Sequence, residues 1–197
     1  MGLSNTGKTQ GAITFANNYF EKNYGKRFPI YITADKNPLD DYSNERAIIV
    51  DDVNDNSIER DLILSLTDNT TRRIGARYRN KVTHNLELVI ITSILTPIQF
   101  FKRIGGMKDP VEQLVRRIDI IVEPDNRNSI QNDYYRYEVY RKTMNNALSG
   151  KDVIDELDFM KLYEKENVDF KFEKQGQKKI AVRDESQNDD KIDILFR

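Results

Sequence analysis

Near the start of the chain, Gly2-Leu3-Ser4-Asn5-Thr6-Gly7-Lys8-Thr9 fits GxxxxGKT, the spelling of a loop that wraps a nucleoside triphosphate. Gly2, Ser4, Asn5, Thr6 and Gly7 supply a backbone able to turn successive N–H groups toward phosphate oxygens. Lys8 brings an ammonium to the terminal phosphates, and the Thr9 hydroxyl is suited to Mg²⁺. A second cluster, Ala47-Ile48-Ile49-Val50-Asp51-Asp52, sets two acids directly after four apolar residues. A strand buried on both faces would carry those carboxylates to its C-terminal edge, where open α/β sheets bind ligands. Asp51 is the expected Mg²⁺ partner and Asp52 the group that orients or deprotonates an attacking water. Taken singly, the first motif has a bland account as a solvated Gly/Thr turn and the second as an acidic turn or helix start. Taken together, in this order, they describe one site for ATP and Mg²⁺.

Such a site needs a sheet and a helix to hold it. Residues 10–24 have helical patterning, with Ala12, Phe15, Ala16, Tyr19 and Phe20 on one face and Gly25 as a stop. Phe28 to Ile32 reads as a short buried strand, residues 58–67 as a helix, and Leu86 to Ser93 as a third strand. The last ends in Thr92-Ser93, where a group sensing the γ-phosphate or its water belongs, with Thr92 or Ser93 as the candidate. Pro97 breaks the chain, Phe100 and Phe101 read as core, and a helix from Val111 delivers Arg116 and Arg117. A fourth apolar run covers Ile118 to Val122. The given sequence starts one residue before the loop, so the expectation is either numbering that begins inside a longer protein or a truncated reading frame without the strand on which the phosphate loop should rest. The expected division is an α/β core over residues 1–124, a helical appendage over 125–163 and a polar, loosely ordered tail over 164–197. Tyr134, Tyr135, Tyr137 and Tyr140 are expected to pack a strand or helix onto the core, with base stacking as the alternative.

The 197 residues are 38% hydrophobic and 32% charged, an ordinary composition for a globular chain. No cysteine is present, so disulfide frameworks and cysteine-based zinc or thiol chemistry are excluded. His84 is the one histidine, which rules out a paired-histidine metal site within this sequence. No apolar run approaches 18 residues and no signal-peptide pattern opens the chain, so no membrane partner and a cytoplasmic location are expected. The net charge of −1 conceals a segregation. Residues 35–61 hold nine acidic and three basic side chains, and residues 72–117 hold ten basic and three acidic. Beside a nucleotide site, a basic stretch of this kind fits a track for a phosphodiester backbone as well as a solvated surface.

The succession GLSNTGKT, AIIVDD, the basic ARYRNK segment, VIITS before Pro97, and EQLVRRI resembles the superfamily 3 helicase domain of replication initiator (Rep) proteins. The plasmid rolling-circle and circular single-stranded DNA virus members are the most alike, over residues 2–123. The resemblance implies an AAA+-like P-loop NTPase with a central parallel sheet, assembling as a ring, a hexamer, that moves on single-stranded DNA. It assigns Arg77, Arg79 and Lys81 to the DNA channel. It assigns Arg116 or Arg117 to an arginine finger acting on a neighbouring subunit's nucleotide. The bacterial cytoplasm, or the host cell nucleus for a viral protein, is the implied location. Where many relatives end the third strand in Thr-Ser-Asn this chain has Ile94, which removes the usual sensor amide. Other readings are an AAA+ or P-loop ATPase serving as loader or packaging motor, and a non-enzymatic DNA-binding remnant.

Overall fold

The computed structural model describes residues 7–34, 36–54, 58–68, 73–75, 80–105, 117–124, 134–143, 160–166 and 170–173. Helix α1 (Lys8–Tyr24) is followed by strands β1 (Ile30–Thr33) and β2 (Ala47–Val50), helix α2 (Arg60–Leu66) and the short strands β3 (Arg73–Ile74) and β4 (Lys81–Val82). Strand β5 (Leu88–Ile91), helix α3 (Pro97–Gly105) and strands β6 (Ile120–Pro124), β7 (Tyr134–Lys142), β8 (Tyr163–Lys165) and β9 (Phe170–Glu173) complete the order. α1 ends where Gly25 enters the left-handed region at φ 67° and its N–H donates to the Glu21 carbonyl at 2.9 Å, a stop that glycine adopts without strain. α3 starts at Pro97, whose missing N–H costs nothing in a first helical turn.

β1, β2 and β5 form a parallel sheet with β2 central, Ile48 lying opposite Tyr31 on one side and Val89 on the other. All four β2 residues are buried, which explains why its sequence is a continuous apolar run instead of an alternation. Period two sorts the side chains. Ala47, Leu88, Ile90 and Ile30 face Ala16 and Phe20 of α1. Ile48, Val50, Val89, Ile91 and Tyr31 face the larger core, with Ile63 and Leu66 of α2, Leu39, Tyr42 and Phe100. The result is a helix-sheet-helix sandwich. Ile48 is fully buried in this core. Ile48→Ala should lower unfolding free energy by about 2–5 kcal/mol, read as a shifted urea midpoint with an unchanged slope.

At the entry end of the sheet, Arg46 ties helix to strands. Its guanidinium lies over the rings of Tyr24 and Phe28 at 4.8 and 4.4 Å and pairs with Glu87 at 2.7 Å, while the Tyr24 hydroxyl donates to the same carboxylate at 2.6 Å.

The fourth apolar run does not extend the parallel sheet. As β6 it pairs antiparallel with β7, which pairs in turn with β8 and β9. This corrects the expected helical appendage over 125–163, because Tyr134–Lys142 is strand. The physical reason is its alternation. Tyr137 and Val139 are buried, while Arg136 is exposed and Glu138 and Tyr140 are only partly buried, a period of two. The expected loosely ordered tail is corrected likewise at its start, where Tyr163–Lys165 and Phe170–Glu173 pair with β7. Among the described residues no helix is long and apolar enough to cross a membrane.

Candidate functional site

Gly7 precedes α1 with φ 79° and ψ 20°, a left-handed conformation that an L side chain reaches only with strain. Its carbonyl accepts the Gly11 N–H at 2.8 Å, the first bond of the helix. No acid sits in the first turn, and Lys8 does. A cation at the positive end of a helix is electrostatically misplaced unless an anion is also to be held there, since the exposed N–H groups and helix dipole attract negative charge.

The next residue meets the acids. The Thr9 hydroxyl lies 2.9 and 2.8 Å from the two carboxylate oxygens of Asp51, toward which it donates. Asp51 follows β2, and its own N–H donates to the Thr33 carbonyl at 2.7 Å, fixing the end of the strand. The Thr92 hydroxyl donates to Asp51 Oδ1 at 2.6 Å and accepts the Asp52 N–H at 2.9 Å. Helix α1, β2 and the end of β5 therefore converge on one half-buried carboxylate. Asp52 stands beside it, exposed, at φ 51°, a conformation aspartate tolerates better than most side chains.

The donors at this point are a carboxylate and hydroxyls, hard oxygen ligands of the kind Mg²⁺ prefers. Among the described residues no group of three or more His, Cys, Asp or Glu side chains could hold a metal by itself. Mg²⁺ typically takes one or two carboxylates and completes its shell with phosphate and water, so Thr9 and Asp51 fit it as partners in a nucleotide complex.

Ser93 does not join this cluster. It is buried, donates to the Val53 carbonyl at 2.7 Å and accepts the Leu95 N–H at 3.1 Å, a brace for the following turn. The polar group at the carboxylate is Thr92, and strand parity is the signal that finds it. Positions 88 and 90 face α1, so 92 does too, on the side of Thr9, while 93 falls to the opposite face with 89 and 91.

Lys81 is engaged within the chain. Its ammonium donates to the carbonyls of Asp40 at 2.6 Å and Tyr42 at 3.0 Å, stapling the turn after β1 to β4. Arg117 is half-buried and borders a cavity of about 830 Å³ whose walls include Lys8, Gly11, Ala12 and Phe15 of α1 and the lengths of β5 and β6. Pro124 pairs with Tyr137 near Gly7, and Ile120 pairs with Arg141, so four residues of strand, about 13 Å, separate those levels. Gly2, Ser4, Asn5, Thr6, Arg77, Arg79 and Arg116 lie outside the described residues.

A residue of β7, which sequence reasoning took for packing or base stacking, also reaches the loop. The Tyr137 hydroxyl donates to the Gly7 carbonyl at 2.7 Å. Burial pushes its pKa well above the ordinary tyrosine value, so it remains an O–H donor at neutral pH.

The chain is similar to a curated replication protein. That relative, from Onion yellows phytoplasma (strain OY-M) and named "Replication protein", is 34% identical over 154 residues, which take in 75% of this chain and 39% of the relative. The matched part is thus well under two thirds of the relative's length. No protein-family model matches the chain, and no solved structure matches it significantly.

Proposed function

We propose that this chain is the ATPase part of a replication protein, hydrolysing ATP to drive movement along single-stranded DNA as a helicase. The observation that carries the ATPase reading is the convergence of Thr9, Asp51 and Thr92, from three separate elements, beside the lysine that opens α1. The likeness to a replication protein supports the biological setting. The order of motifs supports the superfamily 3 reading.

In this mechanism Lys8 binds the terminal phosphates and the N–H groups at the start of α1 bind the phosphate oxygens. Thr9 and Asp51 would hold Mg²⁺, which when bound offsets charge on the phosphate oxygens. Thr92 orients Asp51 through its hydroxyl and holds the Asp52 backbone. Asp52 orients the water and takes its proton as the new bond to the γ-phosphorus forms and the bond to the leaving diphosphate oxygen breaks. Arg117 would act on a neighbouring subunit's nucleotide in a ring. The basic stretch would follow DNA, and Arg73 and Lys102 are exposed within it.

Steady-state ATP turnover, measured with and without single-stranded DNA beside Lys8→Ala, tests this. Turnover should rise with DNA and fall at least about a hundredfold in the variant, since loss of one well-placed charge-stabilising contact commonly costs 10²–10³ in rate. Wild-type turnover no higher than that of Lys8→Ala would remove the ATPase reading.

A second reading, a chain that binds nucleotide without turning it over, is favoured by one feature. Among the described residues β5 pairs on one side only, and the large cavity runs along its other edge. A sheet edge without a ladder partner holds its neighbouring loops less firmly. Nucleotide binding with no turnover would select this second reading.

A further inference from the structure

Gly7 and Gly11 do more than permit a turn, because both lie directly under tyrosines of the second sheet. A Cβ placed on Gly7 would sit 2.8 Å from the Tyr137 hydroxyl oxygen and 2.9 Å from Cδ2 of the Tyr135 ring. A Cβ on Gly11 would sit 2.8 Å from Cζ of Tyr137. Tyr135 and Tyr137 are two residues apart on β7 and so share a face. That face is pressed against the junction of phosphate loop and helix.

The hydrogen bond has a directional consequence. Among the described residues no peptide bond is cis, so the Lys8 N–H points opposite to the Gly7 C=O within one rigid plane. Pinning the Gly7 oxygen from the β7 side at 2.7 Å turns the Lys8 N–H to the other side, away from the tyrosine. The Gly11 N–H also binds that oxygen, but from below along the helix axis, and it leaves the plane freer to rock.

We propose that Tyr137 is a positioning residue for nucleotide binding, its hydroxyl setting the peptide plane whose N–H faces the phosphates and so linking the β6–β9 sheet to the loop. The inference rests on the nucleotide-site reading above. β7 is the central strand of its sheet, paired with β6, β8 and β9, so the hydroxyl is held from a stiff support. Movement of that sheet relative to α1 would be felt first at the Gly7–Lys8 peptide. Conversely, nucleotide that fixes this peptide would steady the sheet.

The test uses a fluorescent N-methylanthraniloyl derivative of ATP, with Mg²⁺, on the whole chain. Tyr137→Phe keeps the ring and removes only the hydroxyl, so affinity should weaken about two- to tenfold, the range for one hydrogen bond. In turnover assays KM should rise by the same factor with kcat little changed. Gly11→Ala displaces the ring by another route. It should weaken binding similarly although alanine favours a helix interior, so affinity and urea stability need not move together. A tyrosine that merely packs would leave KM unmoved in Tyr137→Phe. Wild-type affinity in Tyr137→Phe, with binding abolished in Lys8→Ala, would overturn the positioning role while leaving the nucleotide site intact. No binding by the wild-type chain would overturn both.

Discussion

Asp51→Asn is expected to abolish Mg²⁺-dependent ATP turnover, by at least about a hundredfold at saturating nucleotide, while the chain stays folded. The carboxylate is the point where α1, β2 and the end of β5 meet, receiving the hydroxyls of Thr9 and Thr92. Asparagine keeps the shape and an acceptor oxygen but removes the negative charge that a magnesium ion would need. Charge stabilisation by a metal ion is worth several kcal/mol, and each 1.36 kcal/mol is tenfold in rate. The loss should lie mainly in kcat, since in the proposed site Lys8 and the helix N–H groups would still hold the phosphates. Thermal unfolding should move little, because the carboxylate is half-buried and both hydroxyls can rotate onto the amide oxygen. A variant that turns over ATP at the wild-type rate would show that the metal is not held here.

Gly7→Ala is expected to damage nucleotide binding at least about tenfold and to destabilise the chain as well. Two costs add. An alanine at φ 79° pays about 1–2 kcal/mol for the left-handed conformation; a free loop that relaxes to escape this strain must take it up again on binding, where 1.4 kcal/mol is tenfold in affinity. Its Cβ would also meet the Tyr137 oxygen at 2.8 Å and the Tyr135 ring at 2.9 Å, distances that force one of them to move. The two costs separate in a double-mutant cycle with Tyr137→Ala. Removing Tyr137 relieves the clash with its oxygen and leaves the backbone cost and the approach to the Tyr135 ring, so the double variant should be less impaired than the sum of the singles. Strict additivity in isothermal titration with a non-hydrolysable ATP analogue would show that the close approach is not felt.

The residues of the candidate site were largely legible before any fold was considered. The phosphate-loop spelling depends on local backbone freedom, which Gly7 expresses by adopting a conformation other residues avoid. The run Ala47 to Val50 could be read as a fully buried strand because a strand covered on both faces has no polar side to show, and the acids then had to emerge at its end. Between Thr92 and Ser93 the choice is one of register, not of chemistry. One residue along a strand reverses the face, and only pairing with β2 fixed which face looks toward α1. Lys81 illustrates a different gap, since nothing in a basic stretch announces that one of its ammonium groups closes on two backbone carbonyls some forty positions earlier.

By itself the sequence determined the local chemistry and the elements that carry it: a glycine hinge, a lysine and threonine opening a helix, and a buried strand ending in acids. These follow from side-chain type and short-range periodicity, which act within a few residues. Tertiary structure alone decided that Thr92 touches Asp51, that Ser93 turns away, and that Tyr137 reaches Gly7 across 130 positions of chain. Such contacts depend on how sheets are paired and stacked, and antiparallel pairing of β6 with β7 is chosen by the total apolar surface buried, a quantity no single segment encodes.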